Sequence, residues 1–391
     1  MVSFIWLDMY SYSMLIKDIK LIKIFDSVGH ETIEATIFGD QAVYRASAAG
    51  GTSVSKFAQG AISPDTAINA FSSLKNEFLG DFTQERLDAL LKKHINELGA
   101  QVTTAISLAF FSSAPTRNTF PNILGKVLGG GKHAGSRKTS IQEFLVTTKV
   151  CGEIETMWDV LKSNFEIWKE VRERLLKIGH VGLDYESGWT ADIEDEKALD
   201  IISDIVGDRA LLGVDMAATS FWDEKIGKYV YYDKKLSPGE QVDYVVELAK
   251  KYNLYFIEDP FEQADFDGFS ELTKKLKNVI ITGDDIIASS PKRLEEAVKR
   301  KAMSGVIVKP NQIGTITDCM KLIEIANAND ITPVVSHRSG ETCCGVVSKL
   351  AQLVPLAKFG IAGMRISKLN ELLRLWKSAE RAEIVFKTLR N

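Results

Sequence analysis

The amino-acid sequence predicts an α/β fold: a modified TIM-type β/α barrel with an N-terminal α+β capping domain. Three observations predict it. From about Thr119 onward, strand-like and helix-like segments alternate, which is the grammar of a parallel sheet. At least five strand–helix pairs run in tandem, over roughly 270 residues, a length that fits a barrel better than a Rossmann sheet. No GxGxxG opens a helix after a strand, as a dinucleotide fold would require. The expected division is an N-terminal extension over 1–13, the α+β domain over 14–118 and the barrel over 119–391.

A chain of 391 residues is too long for one ordinary compact core. Hydrophobic residues make up 45% and charged residues 26%, an ordinary globular balance. The net charge of −4 leaves no basic footprint for nucleic acid or an anionic membrane. There is no apolar run of about 18 residues, so no membrane-spanning helix is expected. The opening MVSFIWLDMYSYSM is apolar and aromatic, but Asp8 breaks it and no basic region precedes it, which counts against a secretory signal. Cys151, Cys319, Cys343 and Cys344 match no zinc spacing, and free thiols in a reducing cytoplasm are the expectation.

Leu15 to Ala48 alternates apolar and polar residues with a turn signal at Gly39-Asp40, which predicts about three strands. The small-residue stretch from Ala48 to Ser53 is a loop, or a lid over a ligand. From Pro64 to Ser113 the spacing is helical, with Asp65 and Thr83 as candidate N-caps and Gly99 as a candidate C-cap. Within the barrel region, Gly129 to Gly135 is a glycine-rich turn without the P-loop spacing. IQEFLVTTKV follows as a strand, and a long amphipathic helix runs from about Glu153 to Lys177. Then come the strands ALLGVD, LYFIED, VIITGDD, GVIVK and TPVVSHR, separated by helices, then a turn at KFGIAG and a last helix from Arg365 to Ile384.

Successive strands end in Asp215, Glu258, Asp284, Lys309 and His337-Arg338. In a parallel barrel these ends share one face, and that face is where active sites lie. Three carboxylates converging there repel one another and need a neutralising cation. Oxygen ligands without Cys or His point to Mg²⁺. Mg²⁺ beside a lysine suits removal of a proton next to a carboxylate, since the cation stabilises the enediolate and its field lowers the lysine pKa. SHRSGET adds an arginine and hydroxyls, which suit a phosphate or a second carboxylate; a helix-opening loop capped by Ser339 is the structural alternative.

These segments resemble the enolase (phosphopyruvate hydratase) family, in a divergent, archaeal-like form. VKPNQIGTITD is similar to the family's base-bearing segment, IEDPFEQADF and GDDI to its metal segments, and SHRSGET to its phosphate-binding loop. GGGKHAG, QEF, LGVDMAAT and KFGIAGMRISKLNELLRL add to the likeness, which spans most of the chain. The resemblance implies that Asp215, Glu258 and Asp284 bind a first Mg²⁺ and that Lys309 takes the C2 proton of 2-phosphoglycerate. It implies that Glu186 assists loss of the C3 hydroxyl from the opposite face, with Glu143 and Gln142 beside that leaving group. His133 and His337 would line the site, Arg338 and Ser339 would hold the phosphate, and Lys358 the substrate carboxylate. Thr52 would stand for a serine that helps bind a second Mg²⁺.

The sequence departs from the family in places. AAGGTSV stands for PSGASTG, YESG for DEGG, and DSVGHET for DSRGNPT, while Cys343-Cys344 follow the SHRSGET loop. The implied activity is reversible dehydration of 2-phosphoglycerate to phosphoenolpyruvate in glycolysis and gluconeogenesis, by a cytoplasmic homodimer or higher homo-oligomer. Two alternatives stand beside it: a superfamily lyase acting on another 2-substituted carboxylate, and a paralogue of low turnover that binds a phosphorylated acid or a protein.

Overall fold

The computed structural model describes residues 12–50, 62–135 and 139–385. The small domain opens with β1 (Ser13–Ile16), β2 (Asp18–Phe25), β3 (Glu31–Phe38) and β4 (Val43–Ser47). Strands β2, β3 and β4 form an antiparallel sheet in that order. Strand β1 pairs instead with β5 (Gly80–Thr83). Helices α1 (Pro64–Leu74) and α3 (Ile95–Phe111) pack on the sheet, and α2 (Gln84–Lys93) packs on α3 and β5. Thr83 caps α2 as its sequence position predicts, its hydroxyl accepting from the Arg86 amide. Asp65 does not cap α1. Ser63 does, because Pro64 takes the first helical position, where its missing N–H costs nothing. Gly99 has φ 69°, so it breaks the path near the start of α3 rather than closing a finished helix.

The barrel contains β6 (Thr119–Gly129), β7 (Glu143–Thr148), β10 (Ala210–Asp215), β14 (Leu254–Glu258), β15 (Ile280–Gly283), β16 (Gly305–Val308), β17 (Thr332–Ser336) and β18 (Leu356–Gly360). Each pairs with the next, and β18 pairs with β6 to close the ring. The order differs from a uniform strand–helix alternation. Strand β7 is antiparallel to both β6 and β10. Among the described residues no crossover helix separates β6 from β7, and a connection this short turns the chain back on itself. Two helices, α4 (Met157–Leu176) and α5 (Asp195–Val206), then precede β10, with the short pair β8 (Gly182–Leu183) and β9 (Trp189–Thr190) between them. Thr156 and Asp159 form a capping box at the start of α4.

Two further elements depart from the sequence reading. The first half of KFGIAG, Lys358 to Gly360, is strand rather than turn, because Leu356–Gly360 is buried and closes the barrel. The last helix, α12 (Ile366–Ser378), stops short of Ile384, and Glu383–Val385 forms an edge strand, β19, beside the start of β6. The barrel interior is filled by Leu124, Leu145, Phe256, Ile280, Ile307, Val334 and Leu356, so it is a packed core and not a pore. Among the described residues no helix is long and apolar enough to cross a membrane, and all four cysteines are free thiols.

After β10 a small antiparallel sheet forms from β11 (Trp222–Asp223), β12 (Lys228–Val230) and β13 (Lys235–Leu236), and between the later barrel strands run α6 (Pro238–Lys251), α7 (Phe266–Lys275), α8 (Pro291–Arg300), a single turn α9 (Pro310–Ile313), α10 (Ile316–Ala328) and α11 (Val347–Ala351). The small domain docks on the start of α10. Asp88 on α2 accepts from the Thr317 amide at 2.8 Å and its hydroxyl at 2.7 Å. The Ser107 hydroxyl on α3 accepts from the Ile316 amide at 2.9 Å. These bonds seat the small domain beside the turn that follows Lys309.

Candidate active site

The C-terminal ends of β10, β14, β15, β16 and β17 open on one mouth, as parallel pairing requires. Because β7 runs the other way, its first residue joins them there: Glu143 lies opposite Asp215 in the register. A cleft of about 350 Å³ fills this mouth. All the residues expected from the sequence line it except Glu258 and Thr52, and Ser336 joins them. Glu258 lies just beneath, bonded to Lys358 at 2.7 Å. Thr52 lies outside the described residues. A neighbouring cleft of about 360 Å³ lies between the two domains and shares Arg338, but it holds none of the converging carboxylates of the mouth.

One wall carries Lys309 and the carboxylates. Lys309 follows β16, and the one-turn helix α9 begins right after it. Its ammonium pairs with Asp284 Oδ2. Burial works against that charge and Asp284 for it, and the balance raises the lysine above its ordinary value. The lowered lysine pKa expected from the sequence presumes a cation beside it; in the protein alone Asp284 is the partner, so the direction is reversed. Lys358 on β18 lies 2.7 Å from Asp215 Oδ2, 2.7 Å from Glu258 Oε2 and 3.0 Å from Glu143 Oε2. Burial opposes its charge, but three carboxylates hold it well above the usual lysine value. Two lysines therefore neutralise the acids of this wall.

The acids suit a hard cation on a further count. Glu258 Oε1 and Asp284 Oδ1 are buried without a hydrogen-bond partner, which for carboxylate oxygens is costly unless a cation takes them. Asp259, which the sequence reading passed over, sits behind Asp284 with φ 41° and accepts from the Asp284 and Asp285 amides. Asp259, Asp284 and Asp285 offer oxygens within 4.8 Å of one another. The doublets in IEDPFEQADF and GDDI held that signal.

Glu186, in the turn between β8 and β9, has a second set of partners. Its Oε1 lies 3.4 Å from His337 Nε2 and its Oε2 lies 3.5 Å from His133 Nδ1. His337 Nδ1 accepts from the Gly360 amide at 2.8 Å, so the neutral ring carries its proton on Nε2, facing Glu186. Burial pushes His337 down to about 4, and burial together with Lys126 does the same to His133. Burial alone would raise Glu186, but Lys126, His133 and His337 outweigh it and hold the carboxyl well below its usual range. Glu143, buried and facing Glu186, is pushed up to about 8. The two carboxyls are thus separated, one charged and one carrying a proton near neutral pH.

The remaining expected residues line the same cleft. The Gln142 backbone N–H donates to the Asp215 carbonyl at 3.0 Å. Arg338 donates its amide to Glu341 Oε1 at 3.0 Å and its Nε–H to the Gly50 carbonyl at 3.2 Å. Ser339 is buried beside it. Sequence reasoning missed Arg365, whose guanidinium donates to the carbonyls of Tyr185, Arg338 and Ser339 and ties the turn of Glu186 to the loop of Arg338. It also missed Lys126 on β6, a charge inside the apolar run FPNILGKVLG. That contrast was the available signal, since a charge inside a buried strand requires partners.

Comparison with known proteins gives one family and a set of close relatives. Residues 118–385 match the family described as enolase, C-terminal TIM barrel domain. The chain is similar to the enolase of Picrophilus torridus, 36% identical over 398 residues, covering 92% of this chain and 98% of the relative. It is similar to the enolase of Archaeoglobus fulgidus at 33% identity, covering 95% of this chain and 100% of the relative. The enolase of Methanosphaera stadtmanae is 34% identical, over 92% of this chain and 96% of the relative.

Proposed function

The chain belongs to the enolase family, and from that premise we propose how its cleft dehydrates 2-phosphoglycerate to phosphoenolpyruvate, reversibly. Lys309 takes the C2 proton from one wall. Glu186 assists departure of the C3 hydroxyl from the other, with Glu143 and Gln142 beside the leaving group. Arg338 and Ser339 hold the phosphate, Lys358 faces the substrate carboxylate, and His133 and His337 orient Glu186. The observation that supports this reading is that Lys309 and Glu186 line one cleft but contact different partners, Asp284 for the lysine and Lys126, His133 and His337 for the glutamate. A base for C2 and a group that acts at C3 must each hold its own protonation state, which separate partners allow.

The family implies a divalent metal, and the identity proposed is Mg²⁺. Asp215, Glu258 and Asp284 would hold it, since they offer hard oxygens at one mouth and two of those oxygens are buried without partners. Bound there, Mg²⁺ would stabilise the negative charge that develops on the substrate carboxylate. Thr52 is proposed for a second ion. The chain is further read as a cytoplasmic homodimer or higher homo-oligomer, with its capping domain over 14–118 and its barrel over 119–391. The test is a Mg²⁺-dependent rise in enol-phosphate absorbance on adding 2-phosphoglycerate. Folded, metal-loaded protein that gives no rise overturns the reading.

A further inference from the structure

Lys126 is a fully buried lysine that the roles above do not use. Its ammonium lies 2.7 Å from Asp184 Oδ2, 2.9 Å from Glu186 Oε2, 2.9 Å from His133 Nδ1 and 3.6 Å from Glu143 Oε1. Burying an ammonium costs several kcal/mol unless partners surround it, and here four do. His133, Glu143 and Glu186 form a group close enough to hold a metal ion, and the Lys126 ammonium touches all three, supplying the positive charge itself.

The surroundings are built for this pair. A Cβ on Gly129 would collide with Asp184 Oδ2, and one on Gly188 would lie 2.9 Å from Lys126 Cε. Asp184 uses its second oxygen on the backbone, accepting from the Glu186 amide at 2.8 Å and the Gly188 amide at 2.9 Å. The Trp168 indole donates to the Ser187 carbonyl at 2.9 Å from outside. Lys126 thus ties the turn that carries Glu186 to a barrel strand, and it touches Glu186 directly as well.

We propose that Lys126 is a positioning residue for loss of the C3 hydroxyl: anchored by Asp184, it fixes Glu186 Oε2 and leaves Oε1, beside His337, as the oxygen that works on the substrate. The inference rests on the role proposed for Glu186 above. It also fixes the charge of that carboxyl. The groups facing Glu186 are Lys126 on β6, His133 after β6, Glu143 on β7 and His337 and Arg338 after β17. Of these only Lys126 and Arg338 carry positive charge at neutral pH, and Lys126 is the one in contact. In hydration of phosphoenolpyruvate the anionic Glu186 takes a proton from the attacking water, and in dehydration the same carboxyl, protonated, gives that proton to the departing C3 hydroxyl; Lys126 sets the pH at which it passes between the two forms.

The test compares wild type, Lys126→Met and the double variant Lys126→Met/Asp184→Asn, which leaves no unpaired aspartate should the single variant fail to fold. Two rates are measured on 2-phosphoglycerate with Mg²⁺: exchange of the C2 hydrogen with solvent, which needs Lys309, and formation of phosphoenolpyruvate, which also needs Glu186. The expectation is a loss of about 10²-fold in phosphoenolpyruvate formation, with C2 exchange retained and the pH profile of dehydration moved to higher pH. Unchanged dehydration overturns the role of Lys126, and so does a parallel fall of both rates with an unmoved profile, which marks Lys126 as purely structural. Wild type that neither exchanges nor dehydrates sinks the role of Glu186 and this inference together. Wild type that does both leaves the variants to judge Lys126 alone.

Discussion

At the scale of single residues, the mouth of the barrel was legible where strand ends carry charge. Asp215, Glu258, Asp284 and Lys309 could be read because parallel strands bring their C-terminal ends to one face. His133 and Glu186 lie in turns and Glu143 begins its strand rather than ending it, so these three could be found only through the motifs around them. Lys126, Asp184 and Asp259 were not found, because their partners are distant in sequence: Lys126 meets Glu186 across 60 positions. Two predictions belong here. Lys309→Ala removes the C2 base and leaves the acids in place, so C2 exchange falls by at least about 10²-fold while Mg²⁺ binding, read by calorimetry, persists. The second concerns His133 and His337, both held near 4 against an ordinary value of 6.5. A depressed histidine is neutral in the fold, so its contribution to stability is full above about 6.5 and is lost as pH falls toward about 4. Histidine NMR should show both rings neutral at pH 5.5, and a midpoint near 6.5 for either contradicts the burial argument.

Whole elements were legible where periodicity is long. The helices were found because amphipathic spacing repeats over several turns. Strand β18 was misread because Lys358 and Gly360 interrupt its apolar pattern, yet Lys358 points into the mouth for the same reason that it breaks the pattern. The reversal of β7 was invisible to a pattern that reads every strand alike; only the missing crossover helix signals it. Helix α9 yields a prediction at this scale. Gly314 closes it with φ 98°, and a Cβ there would meet Ile95 Cδ1 at 3.2 Å. Gly314→Ala should cost about 1–3 kcal/mol, measured by denaturant unfolding, and should lower turnover, because the strained turn begins at Lys309. An unchanged midpoint would show that this turn tolerates a side chain.

For the molecule as a whole, the sequence divides the chain into two units but says nothing of how they meet. The join is polar and nonlocal: Asp88 reaches Thr317 across 229 positions, and Lys92 pairs with Asp318 at 2.9 Å. Asp26 accepts from the Val28 and His30 amides, which shapes the loop whose Ser27 donates its amide to the Glu341 carbonyl at 2.7 Å. Through such bonds the small domain borders the cleft on the side of Arg338. Asp88→Ala leaves the Thr317 amide buried and unmade, at a cost of about 1–3 kcal/mol. Thermal unfolding should show that loss, and an unchanged midpoint would mean that the Asp88–Thr317 bonds contribute nothing to holding the domains together.

The central claim is that proton removal and hydroxyl loss are divided between two walls. Glu186→Gln tests it most directly, with C2 hydrogen exchange and phosphoenolpyruvate formation followed together on 2-phosphoglycerate and Mg²⁺. The division predicts that exchange continues, driven by Lys309, while product formation is lost. Exchange that disappears along with product formation would contradict it.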